Sequence, residues 1–253
     1  MAVIQSDAIV LSAIRYGETS KIVRLATRDH GVISAIAKGA SRPKSRFGGA
    51  LQILSNGLAH WIPPRHGELN TLTAFDLARL PIRLGESLPR YAGALALAEV
   101  VQRFGSTEPD PMIFEGLSQG LLQVEEAPGE DVEAAGIRAL WHVLGVLGFS
   151  PAVEACVLDG TLVTHGERLA FSASDGGALC DQCAHSRAAA WLERTDYEDL
   201  VALLDPDTPL PTLDERHATA HRRLLARFVQ HQVADGADLP ALEFWLREPW
   251  VIA

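Results

Sequence analysis

The feature that most limits the fold is a change of hydrophobic period at Pro81. Before it, short stretches rich in Val and Ile are separated by turn signals, and "SKIVRLATRDHG" alternates in period two before a turn that ends in glycine. This pattern predicts five short β-strands and therefore a small barrel or sandwich. The predicted strands are DAIVLSAIRYG, SKIVRLATRDHG, VISAIAKG, GLAHWIPP and LNTLTAFDL. A short helix is expected in RFGGALQILSN, after Pro43.

After Pro81 the apolar residues recur at helical spacing. The first predicted helix is LPRYAGALALAEVVQRFG, which Gly105 ends. A second helix is predicted after it, with Asp110 as its N-cap and Pro111 in its first turn. The third predicted helix is DVEAAGIRALWHVLGVLGF. Helical spacing is lost after residue 149 and resumes in SRAAAWLERTDYEDLVALL and LDERHATAHRRLLARFVQHQVA. The apolar C-terminal LEFWLREPWVIA is expected to pack on the body of the protein.

These patterns predict an α+β multidomain chain. The predicted units are a barrel in 1–80, a helical domain in 81–149, an insert in 150–186 and C-terminal helices in 187–253 that pack on the helical domain. The N-terminus has no basic segment followed by an apolar run, and no apolar stretch is long enough for a membrane span. A cytoplasmic protein without membrane contact is therefore expected.

Charge is divided unevenly between these parts. The chain carries 22 Lys and Arg against 32 Asp and Glu, a formal net charge of -10. Residues 1–80 hold ten of the cations and five of the acids, a net of +5, so the remaining 12 cations and 27 acids leave the rest at -15. A basic segment on an acidic protein favours a polyanionic partner.

The cations are densest in AIAKGASRPKSRFGGAL, residues 35–51, which contains no acid and four cations: Lys38, Arg42, Lys44 and Arg46. One interpretation is a solvated surface loop. The other is a phosphate-binding element, because Lys and Arg neutralise phosphates while Gly and Ser let the backbone approach them. Stacking side chains for bases would have to come from Tyr16, Phe47 or Trp61, of which Trp61 is better explained as barrel core.

The sequence also contains a candidate metal site. CDQC, residues 180–183, has the spacing at which two thiolates reach one zinc ion. Cys156 is a third candidate ligand, and Asp159 stands where a second C-x2-C pair would place its other cysteine; His165 and His185 are alternative fourth ligands. Two other interpretations stay open, a metal-free knuckle with buried thiols and a redox pair. The hairpin-like FSASDGGAL before the pair disfavours redox chemistry, which needs a helix N-terminus there.

The order of these features resembles the bacterial recombination-mediator family RecO. AIVLSAIRYGETSKIVRLATRDHGVISAIAKGASRPKSRFGGALQILS is similar to that family's opening segment, which builds an OB-fold. CVLDG…FSASDGGALCDQC resembles the family's paired C-x2-C knuckle, with Asp159 in place of one cysteine. The resemblance covers essentially the whole chain, and it implies an N-terminal OB-fold barrel followed by an all-α domain with an inserted zinc-knuckle-like segment.

The resemblance implies a non-enzymatic mediator of DNA repair and homologous recombination in the RecFOR pathway, cytoplasmic and nucleoid-associated. Such proteins bind single- and double-stranded DNA and anneal complementary strands. With RecR they load RecA onto DNA coated by single-stranded-DNA-binding protein (SSB), whose acidic C-terminal tail they also bind. The resemblance further implies a structural zinc ion held by Cys156, Asp159, Cys180 and Cys183. The DNA contacts it implies are the four loop cations Lys38, Arg42, Lys44 and Arg46. Arg15 and Arg24, which lie on predicted barrel strands, are further candidates.

An SSB tail would need an arginine beside an apolar pocket, and the candidates are Arg138, Arg222 and Arg223. Other classes of protein have weaker support. The chain contains no GxxxxGK[ST], HExxH or GxSxG motif. His217 and His221 have a spacing that can bind metal, although an exposed helix surface is the commoner reason for it. The alternative function is a zinc-ribbon-containing transcription regulator, with ERHATAHRRLLARFVQHQ as its recognition helix.

Overall fold

A computed structural model describes residues 2–163, 168–234 and 236–247. Its N-terminal part is a closed barrel in which the strands follow the order β1-β2-β3-β5-β4 and β4 returns to β1. Neighbouring strands are antiparallel except β3 and β5, which form a short parallel pair. The closed five-stranded barrel confirms the predicted OB-like fold. The strands are β1 (Ile4–Tyr16), β2 (Ser20–Thr27), β3 (Gly31–Ala37), β4 (Asn56–Ile62) and β5 (Asn70–Arg79).

The interior of the barrel is filled by the alternate, inward-facing side chains of these strands. The set includes Val10, Val23, Leu25, Ala35, Ala59, Trp61, Leu72 and Phe75. Trp61 is only 2% exposed, so its interpretation as barrel core is confirmed.

The expected short helix in 46–56 does not form. Residues 41–55 run through consecutive turns, and Gly48 and Leu54 have φ values of 50° and 70°. A right-handed helix cannot continue through residues in the left-handed region. The prediction was therefore wrong, because the apolar side chains of this segment anchor separate turns rather than one helical face.

The predicted helices of the second part are present. Helix α1 ends before Gly105, and α2 begins as expected at Asp110, whose Oδ1 accepts a hydrogen bond from the Met112 N–H at 3.0 Å. Arg90 of α1 closes the other end of α2 by donating to its last carbonyls, including those of Glu125 and Ala127, each at 2.8 Å. None of the described helices combines the length and apolarity needed to cross a bilayer. The first three helices are α1 (Leu88–Phe104), α2 (Pro111–Glu126) and α3 (Val132–Val146).

A small antiparallel sheet follows α3, with the strand order β7-β6-β8. The helix expected from Ser186 begins only at Arg194, because residues 190–193 pair with β6 and bury Leu192 while Trp191 is half exposed. Strand β8 therefore lies beyond residue 186, the predicted end of the insert; the domain limits themselves stay predictions. The elements are β6 (Arg168–Ser172), β7 (Gly177–Leu179), α4 (Asp181–Ala184), β8 (Ala190–Glu193), α5 (Arg194–Leu204), α6 (Glu215–Gln232) and α7 (Pro240–Arg247).

Helix α7 packs on α1 with Trp245 and Leu242 buried, as expected for the apolar C-terminal segment up to residue 247; residues 248–253 lie outside the described residues. The Glu99 carboxylate of α1 accepts the first N–H groups of α7, from Ala241 at 3.0 Å and Leu242 at 2.9 Å. The helix therefore docks through both apolar burial and an N-terminal cap.

The barrel is joined to the helices through the loop between α1 and α2. The Val32 N–H donates to the Ser106 carbonyl at 2.8 Å. A Cβ on Gly31, which has a φ of 62°, would lie 2.5 Å from that same oxygen, so only glycine fits this contact. An ion pair of 2.5 Å between Arg28 and Glu115 lies beside it.

Candidate nucleic-acid interface and metal site

The cationic loop, residues 38–51, leaves β3 as a chain of short turns. Carbonyl-to-amide bonds three residues apart link Gly39 to Arg42, Arg42 to Ser45, and Ser45 to Gly48, at 3.1, 3.0 and 3.0 Å. The Ser41 N–H also donates to the Thr19 carbonyl at 2.8 Å, which ties the loop to the turn between β1 and β2. The loop is thus a defined surface at one end of the barrel.

Apolar side chains anchor this loop while its cations point outward. Phe47 and Leu51 are each 3% exposed and belong to the barrel core. The four predicted phosphate contacts are all exposed, and no carboxylate of the described residues forms an ion pair with them. They are Lys38, Arg42, Lys44 and Arg46. Unpaired, exposed cations keep their full attraction for an external anion.

Strand pairing brings Arg15 to the same end of the barrel. Arg15 of β1 lies opposite Lys21 of β2, and the Lys21 Nζ is 3.5 Å from the Leu51 carbonyl of the loop. Arg24 is three residues further along β2, about 10 Å towards the other end. It is half-buried, and its Nε is enclosed without a hydrogen-bond partner among the described residues. The structure therefore groups Arg15 with the loop and separates Arg24 from it. Lys21 joins the surface, and only the strand pairing reveals this, because Lys21 lies outside the dense run of cations in the sequence.

The candidate stacking residues are resolved by burial. Tyr16 is 55% exposed at the end of β1, beside the loop, and it remains available to a base. Phe47 is buried, with the Arg46 guanidinium 5.0 Å from its ring centroid, so its interpretation as a stacking platform was wrong.

The cysteine cluster is built by two turns that face each other. In the first, Ala155 pairs with Leu162 and the Cys156 N–H donates to the Thr161 carbonyl at 2.8 Å. In the second, Cys180 follows β7 and its Sγ accepts the Cys183 N–H at 3.5 Å across the first turn of α4.

Four side chains converge between these turns, as the spacing predicted: Cys156, Asp159, Cys180 and Cys183. Their ligand atoms all lie within 4.8 Å of one another. The Asp159 Oδ2 is 3.3 Å from the Cys180 Sγ and 3.4 Å from the Cys183 Sγ. A tetrahedral zinc ion with ordinary Zn–S and Zn–O bonds needs sulfur–oxygen separations of about 3.6 Å. The donor set and its spacing therefore fit zinc with little movement.

The thiols and the carboxylate of the cluster shift one another's pKa values. A backbone bond from Thr161 and bonds from Cys156 and Cys180 lower the pKa of Asp159 below its usual range. Although burial acts in the opposite direction, backbone N–H groups lower the pKa of Cys156. A side-chain hydrogen bond from Cys180 raises the pKa of Cys183 to about 12. Several anions cannot crowd together uncompensated, whereas a divalent cation would release these thiol protons.

Of the two alternative ligands, the one that the structure describes, His185, is not brought to this cluster. His185 is exposed, and its Nδ1 lies 2.5 Å from the Asp181 carbonyl. His165 lies outside the described residues. Cys180 does stand at a helix N-terminus, as a redox pair requires, but α4 has only four residues and a third thiol and a carboxylate share the site. The geometry favours a metal site over a redox pair.

Two of the three candidate arginines for an acidic tail have structural roles instead. Arg138 donates to the carbonyls of Ala202 and Pro209, both at 3.0 Å. Arg222 is 1% exposed and pairs with Glu133 at 3.1 Å. Both guanidinium groups are therefore withdrawn from an external carboxylate, and only Arg223 is exposed.

Comparison with known proteins places these features in a family. A family model described as "Recombination protein O N terminal" matches residues 1–81, and one described as "Recombination protein O C terminal" matches residues 85–237. A protein of Myxococcus xanthus named "DNA repair protein RecO" is 33% identical over 243 residues, 94% of this chain and 95% of that protein. Proteins of the same name from Rubrobacter xylanophilus and Bacillus subtilis are 35% and 34% identical, over 72% and 70% of this chain and 72% and 67% of their own lengths. The chain belongs to the RecO family of DNA repair proteins.

Proposed function

We propose that this protein is a recombination mediator that binds single- and double-stranded DNA and anneals complementary strands without catalysing a chemical step. The observation that carries the proposal is the cationic loop, whose four exposed cations have no carboxylate partner in the described residues although the chain is acidic overall. Phosphates are the ligand that such a surface attracts irrespective of base sequence. The exposed Tyr16 beside the loop favours a single strand, whose bases are free to stack.

The acidic remainder of the protein supports this use. Because the chain outside residues 1–80 has a net charge of -15, its acidic surfaces repel DNA and favour a first contact at the barrel end. Arg15 extends the same surface, and Arg24 would contact DNA only beyond it, along the outer face of β2. The transcription-regulator alternative loses two polar side chains of its recognition helix, since Arg222 and His221 are buried and cannot reach base edges.

We further propose that the cysteine cluster holds one structural zinc ion through Cys156, Asp159, Cys180 and Cys183. Zinc with four protein ligands has no open position, so it would stabilise the two facing turns rather than take part in a reaction. The residues themselves orient the ligands: the Thr161 N–H donates to the Asp159 Oδ1 at 2.9 Å and leaves its Oδ2 directed at the thiols.

The partners proposed from the family are RecR, with which RecA would be loaded onto SSB-coated DNA, and the acidic C-terminal tail of SSB. A cavity of about 410 Å³ between β6 and α5 fits such a tail. Its apolar lining includes Val153, Leu169 and Val201, and its charged lining is Arg168, Arg194, Glu154 and Glu198. Because Arg194 pairs with Glu198 at 2.9 Å, Arg168 is the arginine left for the carboxylate of the tail. An apolar chain end would enter the cavity while its carboxylate meets an arginine. The protein would then act in the cytoplasm, in association with the nucleoid.

Strand annealing in the presence of SSB tests the mediator proposal. Complementary oligonucleotides coated with SSB should anneal rapidly with the wild-type protein and slowly with a variant in which the four loop cations are alanine. A control variant should keep full activity; it replaces four exposed arginines outside the barrel and outside both proposed binding surfaces, Arg83, Arg103, Arg187 and Arg247, and so has the same net charge. Equal annealing by the loop variant and the control would refute the assignment of the loop.

A further inference from the structure

A second cationic surface lies on α6, far from the barrel in the sequence. Residues 216–234 contain no acid, although the chain outside the barrel is strongly acidic. Arg216, Arg223, Arg227 and His231 follow one another at intervals of seven, four and four residues. At 100° per residue they fall within an arc of about 80°, spread over about 22 Å of helix. The opposite side of α6, including Leu225, Phe228 and Val229, is buried.

The arginines of this α6 surface are free of internal partners. All three are exposed, and in the described parts of the chain no hydrogen bond or ion pair is made by their side chains, whereas the backbone N–H of Arg216 bonds the Asp214 carboxylate. Arg222, next in sequence to Arg223, shows the contrast, since it is buried and pairs with Glu133. The protein thus neutralises the inward arginine of α6 and leaves the outward ones for an external anion.

An apolar recess opens beside this surface. A cavity of about 350 Å³ lies between α6 and the small sheet, lined by Phe171, Ala189 and Leu224, with Arg227 and His231 at its edge. A uniformly charged polymer with flat apolar groups would place its charges on the arginines and one such group in the recess. A duplex keeps its bases stacked inside and offers nothing to this recess, so the combination favours a single strand.

The α6 surface and the cationic loop belong to different layers of the molecule. Helix α6 packs against α3, α5 and α7, whereas the barrel packs against α1 and α2. One strand bound at the loop therefore leaves the α6 surface free for another. We propose that the exposed face of α6 is a second binding site for single-stranded nucleic acid, so that one protein molecule holds two strands. This inference rests on the proposed function only for the first of those strands.

The test measures capture of a second strand. A biotinylated thymidine oligonucleotide is immobilised, saturated with protein, and exposed to a fluorescent thymidine oligonucleotide that cannot pair with it. The variant carries Arg216→Gln, Arg223→Gln and Arg227→Gln, and the control carries Arg83→Gln, Arg103→Gln and Arg247→Gln, which gives both the same net charge. We expect wild type and control to capture the second strand, and the α6 variant to capture about tenfold less at low salt while still binding the first.

Equal capture of the second strand by the α6 variant and the control would overturn the proposal. In a parallel experiment a fluorescent acidic peptide replaces the second oligonucleotide. The proposal would also be overturned if the α6 substitutions abolished capture of this peptide but left capture of the oligonucleotide unchanged. A failure of the proposed function gives a different pattern. If the loop variant of the previous section binds the first strand as wild type does, the loop assignment fails, whereas the α6 substitutions still report on their own site. Thermal unfolding of each variant checks that the exposed substitutions leave the fold intact.

Discussion

The salt dependence of DNA binding gives the sharpest prediction for the cationic loop. Lys38, Arg42, Lys44 and Arg46 are exposed and unpaired in the described residues, so each is expected to neutralise one phosphate. Each phosphate contact on a single strand contributes about -0.7 to the slope of log affinity against log salt, and four contacts contribute about -2.8. Replacing all four by alanine should make the slope shallower by that amount.

The corresponding change in affinity is large enough to measure directly. Between about 50 and 200 mM salt, a slope difference of 2.8 corresponds to a further loss of about 50-fold for the wild-type protein relative to the variant. Fluorescence anisotropy of a labelled thymidine oligonucleotide, titrated at several salt concentrations, gives both slopes. The Arg83, Arg103, Arg187 and Arg247 alanine variant controls for net charge. Slopes that agree between wild type and loop variant, or that fall equally in loop variant and control, would refute the reasoning.

Three further predictions concern the metal site and the stability of the helical part. The purified protein should contain about one zinc per chain by elemental analysis. Asp159→Cys should slow zinc removal by a chelator, because thiolate is the preferred ligand of structural zinc. A metal-free protein with unchanged thermal stability would contradict the proposed structural role of zinc. Burial lowers the pKa of His221 to about 4, so the unfolded chain takes up its proton first, and about 3 kcal/mol of stability should be lost as the pH falls from about 6.5 towards 4. His221→Leu should remove that part of the acid dependence in urea unfolding, and a variant with the wild-type pH profile would exclude it. Arg90→Ala should cost about 3 kcal/mol in urea unfolding at neutral pH, since it leaves buried carbonyls at the end of α2 without donors; a loss below about 1 kcal/mol would show that water replaces the guanidinium.

The parts of the fold that were predictable are those specified by local patterns. Period-two alternation identified the barrel strands, and the Asp110-Pro111 pair identified the start of α2. The segments that were mispredicted have local patterns overruled by distant contacts. Residues 46–56 bury Phe47 and Leu51 in the barrel and so cannot form one helix, and residues 190–193 pair with β6 instead of extending α5.

The candidate sites divide in the same way. The acid-free loop and the spacing of Cys156, Asp159 and the CDQC pair are visible in the sequence, and the structure brings the four metal-binding candidates together. The burial of Arg138 and Arg222 could not be predicted, because their partners are remote in sequence: Ala202 and Pro209 for the first and Glu133 for the second. His221 is also buried, at 2% exposure, so the explanation of its spacing with His217 as exposed helix surface was wrong for it.

The arginine face of α6 also has a signal in the sequence. The intervals between Arg216, Arg223 and Arg227 place all three on one side of a helix, and no acid occurs in 216–234. From the sequence alone this helix was interpreted as a possible recognition helix, as a source of Arg222 and Arg223 for an acidic tail, and as carrying the His217–His221 spacing, but not as a phosphate-binding surface. Its exposed side became distinguishable from its buried side, which carries Arg222, only when the packing of α6 was known.

The close seating of Gly31 on the Ser106 carbonyl affects how two strands would meet. Because the contact joins backbone to backbone, it restrains the barrel against the helices more than a flexible linker would. The distance between the cationic loop and the α6 surface is then held close to one value in the folded protein. Annealing would accordingly show a minimum oligonucleotide length, below which no strand bridges that span, and any side chain at residue 31 would alter this threshold before it altered the affinity of either surface.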